Sequence, residues 1–331
     1  MPRSCSKIIV TGGAGFIGSH LVDRILSEGH EVVVIDDLSQ GRLENVSRHL
    51  NNDSFKFIEA DIREFARVEA IVKDADAIFH EAAVVSVTRS LEDPAYTNGV
   101  NVAGTLNLLK ASLNSKVKKF IYASSCAVYG EAESPQSEES PTSPRSPYAV
   151  TKIAAENYCK VFNRLYGLEA IPLRYFNVYG SRQSYGPYSG VITKFIDRLI
   201  RGEPPVINGD GEQTRDFVNV SDIVEANMLA LERTGLPSDP INIGTGTATS
   251  IKDLANLLID ITGRKHLKPA FDQPRIGGIR HSCADISRAK RALGYDPKIS
   301  LKEGLVKLLN DYEELFHFNQ KVHSKPLPQL I

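Results

Sequence analysis

Tyr148 and Lys152 stand four residues apart in the stretch SPYAVTK, and of the twelve tyrosines only Tyr148 has a lysine at that distance. The following residues have the pattern of a helix, so we expect both side chains on one helical face, where they can act on the same atom. A tyrosine titrates near ~10 in water, so acting as a base near pH 7 requires a depression of about three units, or about 4 kcal/mol. One positive charge about 5 Å away, at an effective dielectric of about 20, supplies roughly 3 kcal/mol. Lys152 is therefore expected to bring the pKa of Tyr148 most of the way down, so that Tyr148 can take a proton from an alcohol or sugar hydroxyl.

A predicted strand, KFIYASS, ends in Ser124 and Ser125 shortly before this pair. Ser125 is expected to hydrogen-bond the hydroxyl group on which Tyr148 acts. Without such a setting, the alternative is an exposed tyrosine and lysine on a solvated helix face. The intervening segment, SPQSEESPTSPRSP, is either a flexible linker or a wall of the site, and its direct approach to Tyr148 favours the wall.

A glycine-rich turn in KIIVTGGAGFIGSH places Gly12, Gly15 and Gly18 between a strand and a helix. Glycines permit the tight turn and a close approach of the backbone to a pyrophosphate at the positive end of the helix. The next strand, EVVVIDD, ends in Asp36, about where a ribose-binding acid is expected. Such an acid accepts hydrogen bonds from a free 2'-hydroxyl and repels a 2'-phosphate, which favours NAD over NADP. The alternative is a plain βαβ turn that binds nothing, but the whole unit fits the dinucleotide-binding pattern.

Short β-rich apolar runs alternate with helix-period segments along the first half of the chain. The predicted strands are KIIV, EVVVI, FKFIEA, AIFHEAA, KFIYASS and EAIPLRYFNV. Such alternation predicts an α/β fold with a doubly wound parallel sheet that binds ligands at the carboxyl ends of its strands. We predict that residues 1–177, with about 217–248, form this Rossmann-type NAD-binding domain.

The composition changes after about residue 177 to a loop rich in glycine, tyrosine and proline. This indicates a second, smaller α/β domain, which we assign to residues 178–216 and 249–320 and expect to bind the substrate. Residues 321–331 are predicted as a loose tail. Two helices of this region carry a capping-box start, namely Ser250 with Asp253 and Ser300 with Glu303.

The formal net charge of -1 gives no global reason to expect nucleic acid or an anionic membrane as partner. The apolar runs are far shorter than the ~20 residues of a membrane-spanning helix. The beginning of the chain leads straight into a strand without the pattern of a signal peptide, so we expect a cytoplasmic protein. The four cysteines lie far apart, which predicts reduced thiols and no metal site.

Taken together, these motifs resemble those of the extended short-chain dehydrogenase/reductase family. The resemblance rests on TGGAGFIGS, Asp36, DI at Asp61 and Ile62, HEAA at 80–83, Asn101, SSCAVYG and YAVTK. The later stretches RYFNVYG, INGDGEQTRDFVNVSD and RHSCADISRAKRALGY are similar to those of its nucleotide-sugar 4-epimerases, so the resemblance spans residues 7 to about 312. In that family NAD stays bound: it takes the hydride from C4 of the sugar, the 4-keto sugar rotates, and the hydride returns to the other face.

The resemblance implies roles for individual residues. The catalytic residues are Ser125, Tyr148 and Lys152. The cofactor-binding residues are Gly12, Gly15, Phe16, Ile17, Gly18, Asp36, Asp37, Gly41, Asp61, Ile62, Ala82, Ala83, Asn101, Tyr148 and Lys152. The substrate-binding residues are Ser86, Ser124, Ser125, Tyr148, Asn177, Val191, Arg215, Arg275 and Ser282. Asn177, Arg215 and Arg275 would hold the diphosphate and nucleotide, and the alternative for each arginine is a surface salt bridge.

Dehydratases and decarboxylases of the same family carry an acidic residue between the catalytic serine or threonine and VYG. This chain has Cys126 and Ala127 there, and neither moves a proton at a sugar carbon as a carboxylate does. Elimination of water is therefore not expected. A different class of function is a non-catalytic NAD- or nucleotide-sensing protein, which has no need for Ser125, Tyr148 and Lys152 together.

Fewer signals bear on the sugar. Many UDP-galactose 4-epimerases read R-x-G-D where this chain reads RIGG, so Gly278 replaces an aspartate expected to bind the nucleotide ribose. Ser282 stands where a large tyrosine restricts the sugar pocket in some family members, and a small residue leaves room for an N-acetyl group. We predict a UDP-N-acetylglucosamine 4-epimerase, with UDP-glucose as a second or the true substrate. UDP-glucuronate is a further alternative, with Arg182 or Arg280 meeting its carboxylate.

The family commonly forms homodimers through the helix that carries Tyr148 and Lys152 and the helix before it. The apolar positions of VAGTLNLLKASL fit such an interface and equally fit burial against the sheet. We expect a homodimer that binds NAD and a UDP-sugar, and neither nucleic acid nor a membrane.

Overall fold

The centre of the molecule is a seven-stranded, all-parallel β-sheet. The structure, a computed structural model, describes residues 6–183, 190–274 and 279–323. The strands of the sheet are β1 (Lys7–Thr11), β2 (Glu31–Asp36), β3 (Phe55–Glu59), β4 (Ala77–His80), β5 (Lys119–Ser125), β6 (Glu169–Tyr175) and β11 (Ile241–Ile243). Their order is β3-β2-β1-β4-β5-β6-β11. The winding direction changes between β1 and β4, where a doubly wound sheet opens a crevice at its carboxyl edge. The predicted fold class and all six predicted strands are confirmed.

Helices cover both faces of this sheet. One face is covered by α1 (Phe16–Ser27), α8 (Val220–Glu232) and α10 (Ser287–Leu293). The other is covered by α2 (Phe65–Val72), α5 (Thr105–Asn114) and α6 (Pro147–Tyr166). Before α5 come α3 (Val87–Glu92), α4 (Pro94–Asn98) and a π-helical turn (Gly99–Gly104). Ile8 and Val10 enter one core and Ile9 the other, because successive side chains of a strand point to opposite faces.

One further strand, β10 (Phe217–Asn219), falls in the segment 217–248 that was predicted to belong to the NAD-binding domain. The other elements belong mostly to the region predicted to bind the substrate. Its short strands are β7 (Asn177–Tyr179), β8 (Val206–Asn208), β9 (Thr214–Arg215), β12 (Thr249–Ser250), β13 (Ala270–Asp272) and β14 (His281–Ser282). Its helices are α7 (Val191–Ile200), α9 (Ile251–Ile261) and α11 (Leu301–His323), which share a core of their own. The exact division of the chain into two domains stays a prediction.

Both predicted capping boxes are present. The N–H of Asp253 donates to Ser250 Oγ over 2.9 Å at the start of α9, and the N–H of Glu303 donates to Ser300 Oγ over 3.3 Å at the start of α11. Because α11 continues to His323, residues 321–323 are helical and the prediction of a loose tail is wrong for them. The rest of that predicted tail lies outside the described residues.

The serine- and proline-rich segment 134–147 is anchored, so the linker alternative is wrong. Gln136 is 1% exposed, and its backbone N–H donates to the carbonyl of Cys283 over 2.8 Å. Its side-chain oxygen accepts from the N–H of Cys283 over 2.9 Å. Glu138 accepts from the N–H of Asn242 over 2.8 Å. The segment therefore borders β14 and β11, and none of its residues lines the cavity described below.

Within the described residues, no helix is long and apolar enough to span a bilayer. In the same part of the chain, no cluster of three or more histidine, cysteine or acidic side chains is arranged to hold a metal ion. Among the residues that the structure describes, Cys126, Cys159 and Cys283 are free thiols.

Candidate active site

The glycine-rich turn packs its backbone too closely for side chains. Gly12 has a φ of +67°, and a Cβ there would lie 2.7 Å from the backbone nitrogen of Ala82. A Cβ at Gly18, in the first turn of α1, would overlap the carbonyl oxygen of Gly12. The turn, the helix start and the end of β4 therefore meet at backbone contact distance. The N-terminus of α1 is left open to an anion such as a pyrophosphate.

Asp36 ends β2 and is held in place by backbone donors. Its carboxylate accepts from the N–H of Ala14 over 3.0 Å and from the N–H of Leu38 over 2.9 Å. Burial raises the pKa of Asp36, and these two bonds counteract the shift in part. A Cβ at Gly41 would lie 2.7 Å from the carboxylate, so the loop after β2 closes over the acid. The acid is preoriented to accept bonds from a ribose.

A cavity of about 820 Å³ opens along the carboxyl ends of the central strands. The predicted cofactor residues that line it are Gly12, Gly15, Phe16, Ile17, Gly18, Asp36, Asp37, Gly41, Asp61, Ile62, Ala82, Ala83, Tyr148 and Lys152. The cavity thus joins the glycine turn at the start of α1, the acid predicted to bind a ribose and the predicted proton-transfer residues. The residues present fit NAD.

Asn101 lies behind this cavity instead of lining it. The residue is 1% exposed, and its amide donates to the Val84 carbonyl and to Thr151 Oγ1, each over 3.0 Å. Its side-chain oxygen accepts from the N–H of Val84 over 2.8 Å. Asn101 therefore ties the segment after β4 to α6. Its direct contact with the cofactor stays a prediction.

The start of α6 places the tyrosine and lysine at the end of β5. Ser146 caps the helix by accepting from the N–H of Ala149 over 3.2 Å, and Pro147 occupies the first turn, where no backbone N–H is needed. Tyr148 and Lys152 then follow one turn apart. Both are buried, with 8% and 3% of their surface exposed.

Ser125, Tyr148 and Lys152 meet at one end of the cavity, and all three line it. The hydroxyl of Ser125 lowers the pKa of Tyr148, against the larger effect of burial, and it accepts from the N–H of Ala127 over 3.2 Å. Lys152 Nζ lies 5.8 Å from the centre of the Tyr148 ring and donates to the carbonyl of Ala123 over 2.7 Å. The predicted catalytic residues are thus brought together by the fold.

The pKa of Tyr148 differs from the expectation. Burial raises the pKa of Tyr148 to about 12, and burial lowers the pKa of Lys152 to about 8. The expectation that Lys152 brings Tyr148 most of the way to a pKa near 7 is therefore wrong for the protein alone. The expected pKa shift of Tyr148 included the attraction between the ammonium and the phenolate. It did not include the hydration free energy that both groups lose on burial. Further positive charge has to come from a bound ligand.

Three of the predicted substrate residues, Ser86, Ser124 and Val191, precede α3, lie at the end of β5 and begin α7, respectively. Ser124 lines the cavity, but its hydroxyl donates to Glu156 over 2.5 Å. Ser86 caps α3 by accepting from the N–H of Arg89 over 3.1 Å. Val191 is the first residue of α7. Of these three residues, Ser124 alone lines the cavity.

Asn177 of β7 and Arg215 of β9 both lie outside the cavity lining. The amide of Asn177 donates to the carbonyl of Asp216 over 3.3 Å. The guanidinium of Arg215 donates to the carbonyl of Ile279 over 2.8 Å, and burial lowers its pKa. Its hydrogen-bond acceptors are backbone carbonyls, so the alternative of a surface salt bridge is not supported. Two further positions, Arg275 and Gly278, lie outside the described residues.

Ser282 does not line the cavity but contacts a neighbour of the catalytic serine. It is 6% exposed in β14, paired in register with Arg215 of β9. Its hydroxyl lowers the pKa of the thiol of Cys126, the residue after Ser125. Burial raises the pKa of Cys126 to about 11, so this thiol is neutral near pH 7. Cys126 thus lies between Ser282 and the predicted catalytic residue Ser125.

Arg182 and Arg280, the two arginines considered for a sugar carboxylate, both form ion pairs. Arg182 lines the cavity and bonds Asp23 of α1 over 2.7 Å. Arg280 does not line it and bonds Asp210 over 2.8 Å. A carboxylate on a ligand would have to compete with these partners.

Glu81 is a cavity residue to which the sequence reasoning assigned no role. It directly follows β4, and the hydroxyl of Tyr175 donates to it over 2.8 Å. Burial raises the pKa of Glu81 to about 7. The signal was present in HEAA, where an acid stands directly after a buried strand at the ligand-binding edge of the sheet.

Solved structures of three UDP-sugar 4-epimerases are similar to this chain in sequence and fold. The UDP-glucose 4-epimerase of Thermotoga maritima with UDP-glucose is 41% identical, with a TM-score of 0.88, over 94% of this chain and 99% of that one. The UDP-N-acetylglucosamine 4-epimerase of Methanobrevibacter ruminantium in complex with UDP-N-acetylmuramic acid is 39% identical, with a TM-score of 0.88, over 94% and 99%. The UDP-glucuronic acid 4-epimerase of Bacillus cereus in complex with UDP-glucuronic acid and NAD is 34% identical, with a TM-score of 0.87, over 93% and 99%.

The family assignment follows from sequence and structure together. The model of the NAD dependent epimerase/dehydratase family matches residues 8–244, which include the glycine turn and the Ser125, Tyr148 and Lys152 cluster. The resemblance inferred from the motifs is confirmed, and NAD is the cofactor of this family. The chain belongs to the NAD dependent epimerase/dehydratase family.

Proposed function

We propose that the protein is a UDP-sugar 4-epimerase that interconverts UDP-N-acetylglucosamine and UDP-N-acetylgalactosamine, with UDP-glucose and UDP-galactose as a second pair. The observation that carries this proposal is the meeting of Ser125, Tyr148 and Lys152 at the end of the NAD cavity. A protein that only senses NAD or a nucleotide would need the glycine turn and Asp36 but not these three residues together.

Tyr148 is the acid–base group of the proposed reaction. Its oxygen takes the proton of the hydroxyl on C4 of the sugar and gives a proton back to that oxygen once the sugar has turned. NAD, when bound, supplies the acceptor and then the donor of the hydride at C4. Ser125 lowers the pKa of Tyr148 and is proposed to hydrogen-bond the sugar hydroxyl. Lys152 adds positive charge that favours the tyrosinate.

The residues next to Ser125 support epimerisation over elimination of water. A dehydratase or decarboxylase needs an acid–base group at a second sugar carbon. The thiol of Cys126 has a pKa of about 11 because of burial, and Ala127 has no titratable group. Neither side chain can serve as that second group near pH 7.

The preference for an N-acetylated sugar rests on the small side chain of Ser282, which stands where a large tyrosine restricts the sugar pocket in some family members. Substrate contacts are proposed for Ser86, Ser124, Ser125, Tyr148, Asn177, Val191, Arg215, Arg275 and Ser282. We assign the nucleotide sugar to the region of residues 178–216 and 249–320. The relatives that bind UDP-glucose and UDP-glucuronic acid keep both of these sugars as alternatives.

We further propose a cytoplasmic homodimer. The support is a row of exposed apolar side chains on α6, where Val150, Val161 and Leu165 are 52%, 45% and 65% exposed, and on α3, where Leu91 is 63% exposed. The apolar positions of α5 lie in the core instead, so they do not supply this surface. Sedimentation of the protein and of Leu165→Asp tests the proposal: a dimer that Leu165→Asp converts to a monomer supports it, and a monomeric parent protein contradicts it.

Proton NMR of the purified protein with UDP-N-acetylglucosamine and, separately, UDP-glucose tests the proposed reaction. We expect the 4-epimer of each sugar without added NAD, and the hexosamine to react faster. If UDP-glucose reacts alone, the Ser282 argument is wrong and the mechanism stands. If UDP-glucuronate alone reacts, it is the substrate, and the alternative in which Arg182 or Arg280 meets its carboxylate replaces the proposal of an N-acetylated sugar. No epimer from any of the three with NAD supplied would contradict the proposal and favour a sensor.

A further inference from the structure

Glu81 is a partly buried carboxyl group in the cavity, and the mechanism above leaves it without a role. Its backbone N–H donates to the carbonyl of Thr11 over 3.1 Å, which fixes the residue at the end of β4. Its side chain lines the same cavity as Tyr148 and Lys152. The hydroxyl of Tyr175, at the end of β6, donates to Glu81 Oε1 over 2.8 Å. Contacts from β1 and β6 therefore hold Glu81 in the cavity that Tyr148 and Lys152 also line.

Asn227 and Glu81 both contact the hydroxyl of Tyr175. The Nδ2 group of Asn227 donates to the carbonyl of Ile223 over 2.8 Å and to the Tyr175 oxygen over 2.7 Å. The single proton of Tyr175 has two acceptors within reach, Glu81 Oε1 at 2.8 Å and Asn227 Oδ1 at 3.0 Å. An ionised carboxylate is the stronger acceptor of the two, so the shorter bond goes to Glu81. Glu81 thus receives a neutral donor, which suits an ionised carboxylate.

Lys152 is a buried ammonium that needs a counter-charge. Its Nζ donates to the carbonyl of Ala123 and lies 5.0 Å from the centre of the Tyr122 ring, and neither partner carries a charge near pH 7. Two carboxylates act on it, those of Glu81 and Glu156. Glu156 already shares a bidentate ion pair with Arg174, with both N–O distances at 2.8 Å. This leaves Glu81 as the carboxylate whose charge is open to Lys152.

We propose that Glu81 is a positioning residue whose carboxylate, oriented by Tyr175, is the counter-charge that keeps Lys152 protonated in the cavity. Its consequence for turnover rests on the proposed 4-epimerase function, because the Lys152 charge is what favours the tyrosinate at Tyr148. The coupling between Glu81 and Lys152 does not depend on which sugar reacts.

The charge states give the pair a limited pH window. Glu81 ionises as the pH rises through about 7, and Lys152 loses its proton as the pH rises through about 8. Both are charged between these values. The titratable groups facing the pair are His80, Tyr122, Tyr148, Glu156, Cys159 and Tyr175. Burial lowers the pKa of His80 to about 3 and raises the pKa of the three tyrosines and of Cys159, so these five groups are neutral near pH 7. Glu156 forms its ion pair with Arg174.

The variant Glu81→Gln tests the proposal because it keeps an acceptor for Tyr175 and removes the charge. The measurement is the ¹⁵N chemical shift of Lys152 Nζ in lysine-labelled full-length protein from pH 6 to 10, assigned by the signal missing in Lys152→Met. We expect the titration midpoint of Lys152 to fall by about one unit or more in Glu81→Gln. An unchanged midpoint overturns the proposal.

Matched variants separate charge from shape. Glu44→Gln removes a carboxylate from the exposed rim of the same cavity and is expected to leave the Lys152 midpoint in place. If Glu81→Gln fails to fold, Glu81→Asp and Glu81→Asn repeat the comparison with a shorter side chain. The Asn variant is then expected to titrate Lys152 at lower pH than the Asp variant. Equal midpoints in that pair overturn the proposal as well.

The epimerase assay distinguishes this inference from the proposed function. In Glu81→Gln we expect the alkaline limb of the pH–rate profile to shift to lower pH, by the same number of pH units as the titration midpoint of Lys152. If epimerisation occurs and neither quantity moves, the role of Glu81 is refuted and the proposed function stands. If the Lys152 midpoint moves in a protein that epimerises no UDP-sugar, the coupling stands and the proposed function is refuted.

Discussion

Replacing Lys152 with methionine removes one charge from the cavity and keeps an unbranched side chain of similar length. Lys152 Nζ lies 5.8 Å from the centre of the Tyr148 ring. At an effective dielectric of about 20, a unit charge at that distance is worth about 3 kcal/mol, or about two pKa units. At pH 7, below its pKa of about 8, Lys152 is charged. We therefore expect the kcat of Lys152→Met at pH 7 to fall about 100-fold.

The assay is the initial rate of 4-epimer formation by proton NMR from pH 6 to 10, with UDP-sugar and NAD in excess. Since the loss comes from a tyrosine that holds its proton more tightly, raising the pH by about two units should restore the rate. Lys160→Met is the matched control, because Lys160 lies on the same helix and pairs with Asp239 on the surface. A deficit that stays constant from pH 7 to 10 would refute the electrostatic reasoning and leave Lys152 as a cofactor anchor.

Three further changes test the scaffold. Gly18→Ala drives a methyl group against the Gly12 carbonyl, so we expect about 1–3 kcal/mol of lost stability in urea unfolding and at least about tenfold weaker NAD binding by calorimetry; wild-type affinity would contradict the packing argument. Asp36→Asn removes the charge that repels a 2'-phosphate, so the preference for NAD over NADP in binding titrations should narrow by about tenfold, and an unchanged ratio would speak against a ribose contact. Glu156→Gln leaves Arg174 buried without its bidentate partner, and we expect urea unfolding to show a loss of about 3–5 kcal/mol; a loss under about 1 kcal/mol would disprove that role.

The strands of the central sheet were predictable because both of their faces are buried. A parallel strand covered by helices on two sides reads as a continuous apolar run, as in EVVVI, where Val32 to Ile35 are all buried. The seventh strand, β11, has only three residues, Ile241 to Ile243, and so offers too short a pattern to recognise. Its place beside β6 is fixed by tertiary contacts.

The cofactor half of the site was predictable for a different reason. Gly12, Gly18 and Asp36 act through backbone geometry and a strand end, which are local features of the sequence. The use of Asn101 as a tie between the segment after β4 and α6 depends on residues 17 and 50 positions away, and no local pattern encodes it.

Burial was the property that sequence reasoning could not supply. The pKa of Tyr148 is raised to about 12 because the fold removes water from its hydroxyl, and the distance to Lys152 along the helix carries no information on that cost. The same holds for Ser282, whose effect on the pKa of Cys126 depends on the fold bringing β14 to the end of β5. Glu81 had a visible signal, an acid after a buried strand, but its link to Tyr175 required the fold.

The central claim is that the configuration at C4 of the sugar is inverted when the hydride taken from C4 returns to the opposite face within the same cavity. The most direct test uses UDP-sugars with deuterium at C4, in ordinary water, with the products read by NMR. We predict that the 4-epimer keeps the deuterium at C4 and that no NAD is consumed. Product carrying solvent hydrogen at C4, or no 4-epimer from the N-acetylglucosamine, glucose or glucuronate forms, would contradict the account.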